Sequence, residues 1–277
     1  MAGLTVLARA LLYSGTVVVL GEMLLPVPAF VPLSPARRRL RWAAALAMLL
    51  GPLVWLQGQL GALEIPWAEA GTLLGGNWGS NWQWLAISAV LCSMMLTGAF
   101  GRRSACWMVW VCGAAIAITL GGLGHADVDD NWPLAARALD AVHVLSMGAW
   151  IGCVLLAISD EYIPAADFND DLSRTRWRHV SRIATVAAPL AVLTGVLGAL
   201  RLNRGAGPAE VIASTWGRLL IVKMLIVGVI LGFGALQRRR VHSGSNPAPR
   251  AVRLEVTLAA AVVLVTAFLA ASAPAGD

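Results

Sequence analysis

The sequence predicts an all-α fold, a polytopic membrane helix bundle, on three observations. Of its 277 residues 58% are hydrophobic and 13% charged, where a soluble domain is about a quarter charged. Apolar runs recur near the ~20 residues that cross a bilayer as a helix. Arginine gathers in alternate connections between those runs. Helices are the architecture left, because backbone groups in hydrocarbon must be satisfied within the segment and the runs are too long for barrel strands. The chain is read as a single membrane domain, 1–277.

Eight transmembrane helices follow in order: 4–25, 42–63, 81–100, 105–124, 134–158, 180–202, 217–237 and 252–273. The first run lacks a cationic leader and a cleavage site, so it is read as a retained helix. Arg37, Arg38, Arg39 and Arg41 precede the second span, Arg102 and Arg103 the fourth, Arg174, Arg176 and Arg178 the sixth, and Arg238, Arg239, Arg240 and Arg250 the eighth. Connections 64–80 and 125–133 hold no arginine, and the sixth is mixed, with Arg204 and Glu210. The positive-inside rule then puts both termini outside. It also accounts for the net charge of +6 without nucleic acid as a partner; membrane lipids are the surroundings implied. Trp67, Trp78, Trp82, Trp132 and Trp216 stand at outer span ends, where an aromatic belt sits. Gly148 and Gly152, and Gly228 and Gly232, are spaced for close helix approach. "ARALLYSGTVVVLG" in the first span echoes "ARALDAVHVLSMGAWIG" in the fifth. The echo admits a four-plus-four repeat, 1–124 and 125–277, or chance likeness between apolar helices.

Ionisable groups at membrane depth are costly unless paired or functional. Glu22 and Glu255 lie toward the inner ends of their spans, Arg9 and Arg137 in outer turns, and Asp140, His143 and Lys223 deepest. Arg137, Asp140, His143 and Met147 fall on one stripe of the fifth span. At 1.5 Å per residue His143 lies about 15 Å below Pro133. Lys223 reaches the depth of Asp140 and is the charge partner expected for it, with Arg137 the alternative. A second histidine, His125, stands at the outer mouth beside Asp127, Asp129 and Asp130.

Imidazole with a thioether one turn deeper suits a soft metal ion, copper foremost. The metal set expected is His125, His143, Met147 and Asp140, the last as ligand or as orienter of the imidazole. A buried structural network is the competing account. Cys92, Cys106, Cys112 and Cys153 all sit in apolar runs with no C-x-x-C pair. These thiols, with Met94 and Met95, are read as packing rather than as a relay. His179 and His242 are read as surface residues. No ATP-binding loop or catalytic constellation is present, so no enzyme is expected.

The segments "LGHAD" and "LDAVHVLSMGAWIG" resemble the CopD copper-resistance family. "RWRHVSRIATVAAPLAVLTGVLGAL", "STWGRLLIVKMLIVGVILGFGALQRRR" and "RLEVTLAAAVVLVTAFLAASAP" are similar to its following helices. The resemblance spans 120–275 and is loose before that. It implies a multi-pass protein of the bacterial inner membrane with both termini periplasmic, which moves copper, Cu(I) or Cu(II), across the bilayer beside a separate periplasmic CopC-type protein. Uptake from periplasm to cytoplasm is the direction expected. His125 and His143 fall on the family's two histidines, Trp150 and Gly152 on its W-x-G, Lys223 on its helix-seven lysine and Glu255 on its last-helix glutamate. Cys153 replaces a second glycine, and Trp216 a tyrosine. The alternatives are a haem b membrane redox protein with His125 and His143 as axial ligands, and a copper sensor or chaperone dock.

Overall fold

The structure, a computed structural model, describes residues 2–25, 33–98, 102–122, 133–160, 170–245 and 247–274. No strand occurs among them. The helices are α1 (Ala2–Leu24), α2 (Pro35–Ala62), α3 (Ala70–Leu74), α4 (Asn77–Thr97), α5 (Arg102–Gly122), α6 (Pro133–Asp160), α7 (Asp170–Leu202), α8 (Pro208–Ala213), α9 (Thr215–His242) and α10 (Pro249–Ala270). Among the described residues six are long and apolar enough to cross a membrane: α1, α2, α6, α7, α9 and α10. The third and fourth expected spans are helices α4 and α5. α4 falls short because it opens on "NWGSNWQW"; α5 contributes a shorter apolar stretch, Trp110–Gly121, among the described residues.

Local chemistry sets the helix ends. Ser34 caps α2 by accepting the Arg37 N–H at 3.0 Å, ahead of a proline in the first turn. Ser214 caps α9 through the Gly217 N–H at 2.9 Å. Gly98 ends α4 at φ +83°, a left-handed conformation that favours glycine.

α1 runs between α2 and α6 and touches α5 and α10. Its crossing with α6 is set by glycines. A Cβ on Gly21 would come within 2.6 Å of the Gly152 carbonyl carbon, and one on Gly152 would strike the Val17 carbonyl. The α6 glycine pair therefore packs as its spacing predicts. The α9 pair does not: a Cβ on Gly228 or Gly232 would meet nothing within 4 Å among the described residues. Their helix is flanked there by Leu225 and Val229, exposed by 66% and 49%. An outward face so apolar belongs against lipid.

The arginine-bearing ends of the helices converge at one end of the bundle, and there the sequence expectation needs correction. Arg37, expected in the connection before the second span, has no exposed surface. Its guanidinium donates to both Glu22 oxygens at 2.9 and 2.7 Å, to Asp160 at 2.7 Å and to the Leu25 carbonyl at 2.6 Å. Arg176 reaches Asp160 at 2.9 Å, and Ser34 donates to the Ser159 carbonyl at 2.8 Å. The knot ties together α1, α2, α6 and α7. A planar five-donor fork can satisfy two carboxylates and a carbonyl at once, which is how this cation becomes buried.

Candidate functional site

At the opposite end the helices leave a cavity of about 200 Å³. Helix α6 supplies Asp140, His143 and Met147 to its wall, α1 supplies Arg9 and Tyr13, α7 supplies Arg201, and α9 supplies Trp216 and Lys223. The 3.6-residue period puts the three α6 side chains on one stripe. Arg137 is absent from the cavity wall, and its carbonyl lies 3.3 Å from where a Cβ on Gly121 would sit.

His143 is held from one side. Its Nδ1 lies 2.9 Å from the Ala191 carbonyl and 3.1 Å from the Thr194 hydroxyl. Thr194 spends its own proton on the Leu190 carbonyl at 2.7 Å. A carbonyl only accepts, so Nδ1 carries a proton, and in the neutral imidazole Nε2 keeps its lone pair. Gly195 makes the contact possible: a Cβ there would sit 3.0 Å from His143 Cε1. The glycine lets α7 approach the ring face closely.

Asp140 takes a different partner from the one expected. Arg201 donates to it at 3.3 Å, and no ion pair joins it to Lys223 among the described residues. Arg201 comes from the last turn of α7, directly across from α6. Depth along the axis suggested Lys223, but lateral neighbourhood decided the pairing. Arg9 lies over the Trp55 ring, 5.3 Å from its centroid, a cation–π contact. Trp216, expected in an outer aromatic belt, is 2% exposed and walls the cavity.

The other expected site residues separate. His125, with Asp127, Asp129, Asp130 and Trp132, lies outside the described residues, and the haem expectation rests on it. Glu255 and Trp150 line a second cavity of about 240 Å³ with Gln237 and Arg238. The buried Oε1 of Glu255 has no hydrogen-bond partner there among the described residues. His179 and His242 are exposed and bond the carbonyls of Leu24 and Arg238. Cys92 and Cys112 are buried with Met95 in the core shared by α1, α2, α4 and α5, and Cys153 packs elsewhere beside Trp177 and Val252. The side chain of Cys106 is outside the described residues.

Among the described residues no three His, Cys, Asp or Glu side chains converge. The one imidazole nitrogen with a free lone pair in the cavity, Nε2, shares it with the Met147 thioether. That donor set is soft and sparse, and suits copper better than a hard divalent ion. Arg201, Tyr13 and Gly195 were missed as site residues. Arg201 did carry a signal: an arginine at the expected outer end of a span runs against the positive-inside pattern.

Comparison with known proteins bears out the resemblance. Residues 175–273 match the family model for CopD, copper resistance protein D. A copper resistance protein D of Pseudomonas syringae pv. tomato is 29% identical over 207 residues. The match takes in 68% of this chain and 65% of the relative, so just under two thirds of the relative's length is spanned. No solved structure matches.

Proposed function

We propose that this chain, which carries a CopD segment over residues 175–273, is a multi-pass membrane protein that moves copper across a bacterial inner membrane. The observation that carries the reading is His143: Nδ1 is tied to the Ala191 carbonyl, and the remaining nitrogen shares a membrane-depth cavity with Met147. A backbone carbonyl behind the ring fixes its tautomer and orientation, as is usual for metal-binding histidines. Eight spans and periplasmic termini are supported by the convergence of the arginine-bearing helix ends at one end of the bundle. That end would be cytoplasmic. The His143 cavity then opens toward the periplasm, which favours uptake, with delivery by a separate CopC-type protein.

The donors present fit copper as cargo. His143 and Met147 supply two soft or borderline ligands, leaving the remaining positions to His125, to water or to ligands the copper brings. Asp140, engaged by Arg201, serves as the counter-charge of that arginine rather than as a ligand. Isothermal titration of the purified chain with copper tests the reading. Wild type should bind, and His143→Ala and Met147→Leu should each weaken binding by about tenfold or more, the cost of losing one ligand of a sparse site. Affinity and stoichiometry unchanged in both variants would refute it. Copper uptake into proteoliposomes, lost in His143→Ala, separates transport from a sensor or docking role.

A further inference from the structure

Among the described residues the charge lining the His143 cavity is the wrong sign for a bare metal ion. Three cationic side chains of those residues line it, Arg9, Arg201 and Lys223, against one carboxylate, Asp140. Arg201 engages that carboxylate at 3.3 Å. Arg9 has a ring face, Trp55, on one side and a buried Nε with no hydrogen-bond partner among the described residues. Among the described residues neither Arg9 nor Lys223 forms an ion pair with a carboxylate.

Uncompensated cations inside a membrane are expensive, and those that persist mark a ligand path or a counter-ion site. Two cations facing one small cavity repel each other, and a copper ion on His143 would add a third. An anion in the same space removes all three conflicts. The cations present select its type. A guanidinium pairs with a carboxylate through two parallel N–H donors, and an ammonium adds a point charge. The space also suffices: about 200 Å³ is an order of magnitude above the ~10–15 Å³ that one water requires.

We propose that this cavity is a carboxylate site: a small organic acid sits against Arg9 and Lys223, and it enters as a ligand of the copper that His143 receives. The metal half rests on the copper reading above; the anion half stands without it. Copper crosses on this account as a complex whose carboxylates cancel the charge of both the metal and the wall. No bond to the protein forms other than copper coordination at His143 Nε2 and the Met147 thioether. The wall remains unchanged after release.

The test uses the full chain in detergent with radiolabelled citrate as the probe and otherwise weakly coordinating anions. In equilibrium dialysis without copper, citrate should be retained. Its affinity should fall about tenfold or more in Lys223→Met and in Arg9→Gln, the scale of one lost charge-assisted contact, and recover in Lys223→Arg. Two variants on different helices keep the result readable if one of them misfolds. At matched free copper, citrate should raise the amount of copper held. No citrate retention, or retention that both variants leave intact, overturns the proposal. Copper bound equally well with and without citrate also overturns it, and leaves the copper reading standing. Citrate held by the two cations with no copper bound in either condition supports the carboxylate site and sinks the copper reading instead.

Discussion

Replacing Arg37 with Met should destabilise the bundle more than any other single change at its arginine-bearing end. The substitution removes four side-chain hydrogen bonds, two to Glu22, one to Asp160 and one to the Leu25 carbonyl. It leaves two carboxylates in a site where Arg37 itself has no exposed surface. Breaking a buried ion pair from one side costs about 3–5 kcal/mol. Two contacts soften the loss: Arg176 stays 2.9 Å from Asp160, and Arg41 stays 4.0 Å from Glu22. The expected loss is therefore near the lower bound, about 3 kcal/mol. Arg37→Lys keeps the charge but cannot fork between two carboxylates, so it should recover about half. Adding Glu22→Gln and Asp160→Asn to Arg37→Met removes the stranded charges and should also recover much of the loss. Reversible unfolding in mixed micelles, followed by tryptophan fluorescence, reads all four proteins. A loss below about 1 kcal/mol in Arg37→Met, the scale of a surface pair, or a triple variant no better than the single, would refute the reasoning.

Gly195→Ala should lower copper affinity by about tenfold, the cost of disturbing a ligand's hydrogen-bonded support, because the new Cβ would lie 3.0 Å from His143 Cε1. Stability should hold or rise slightly, since alanine is the better helix former by about 1 kcal/mol; titration and unfolding together check the two signs. Gly152→Val, which drives a branched side chain into the Val17 carbonyl, should lose folded yield outright, measured by size-exclusion chromatography. Cys92→Ala with Cys112→Ala should leave copper stoichiometry unchanged and cost about 1–2 kcal/mol of stability, as buried thiols that only pack; a lost copper equivalent would make them ligands. Asp140→Asn should shift citrate affinity upward, because it frees Arg201 to join the anion wall, and dialysis reads the change.

Much of this was legible in the chain because hydropathy and arginine placement are one-dimensional signals. Each expected span corresponds to a helix, and α6 carries Asp140, His143 and Met147 on one wall because helical period alone fixes that. Lateral pairing is different. Which helix lies beside α6 is a property of packing, so Arg201 rather than Lys223 meets Asp140. The same blindness hid Trp216 in the cavity wall and Arg37 in the core: residue type predicted an interface and a loop, and neighbours supplied what burial required. The α9 glycines show the converse error. Spacing promised an approach, but among the described residues nothing comes within 4 Å of where a Cβ on Gly228 or Gly232 would sit.

The knot around Arg37 binds four helices at a single end, while the far end encloses empty space. A bundle fastened in that way can part only by splaying, like stems gripped at the base. Widening the way to His143 from its own side then needs only the tips of α1, α6 and α7 to lean, with the grip below left whole. Passage onward to the opposite side would demand that the grip itself be broken. If the bundle moves copper as proposed, Glu22, Arg37 and Asp160 are the natural place for a gate at that end, in a protein whose sequence marked Arg37 only as a topological label.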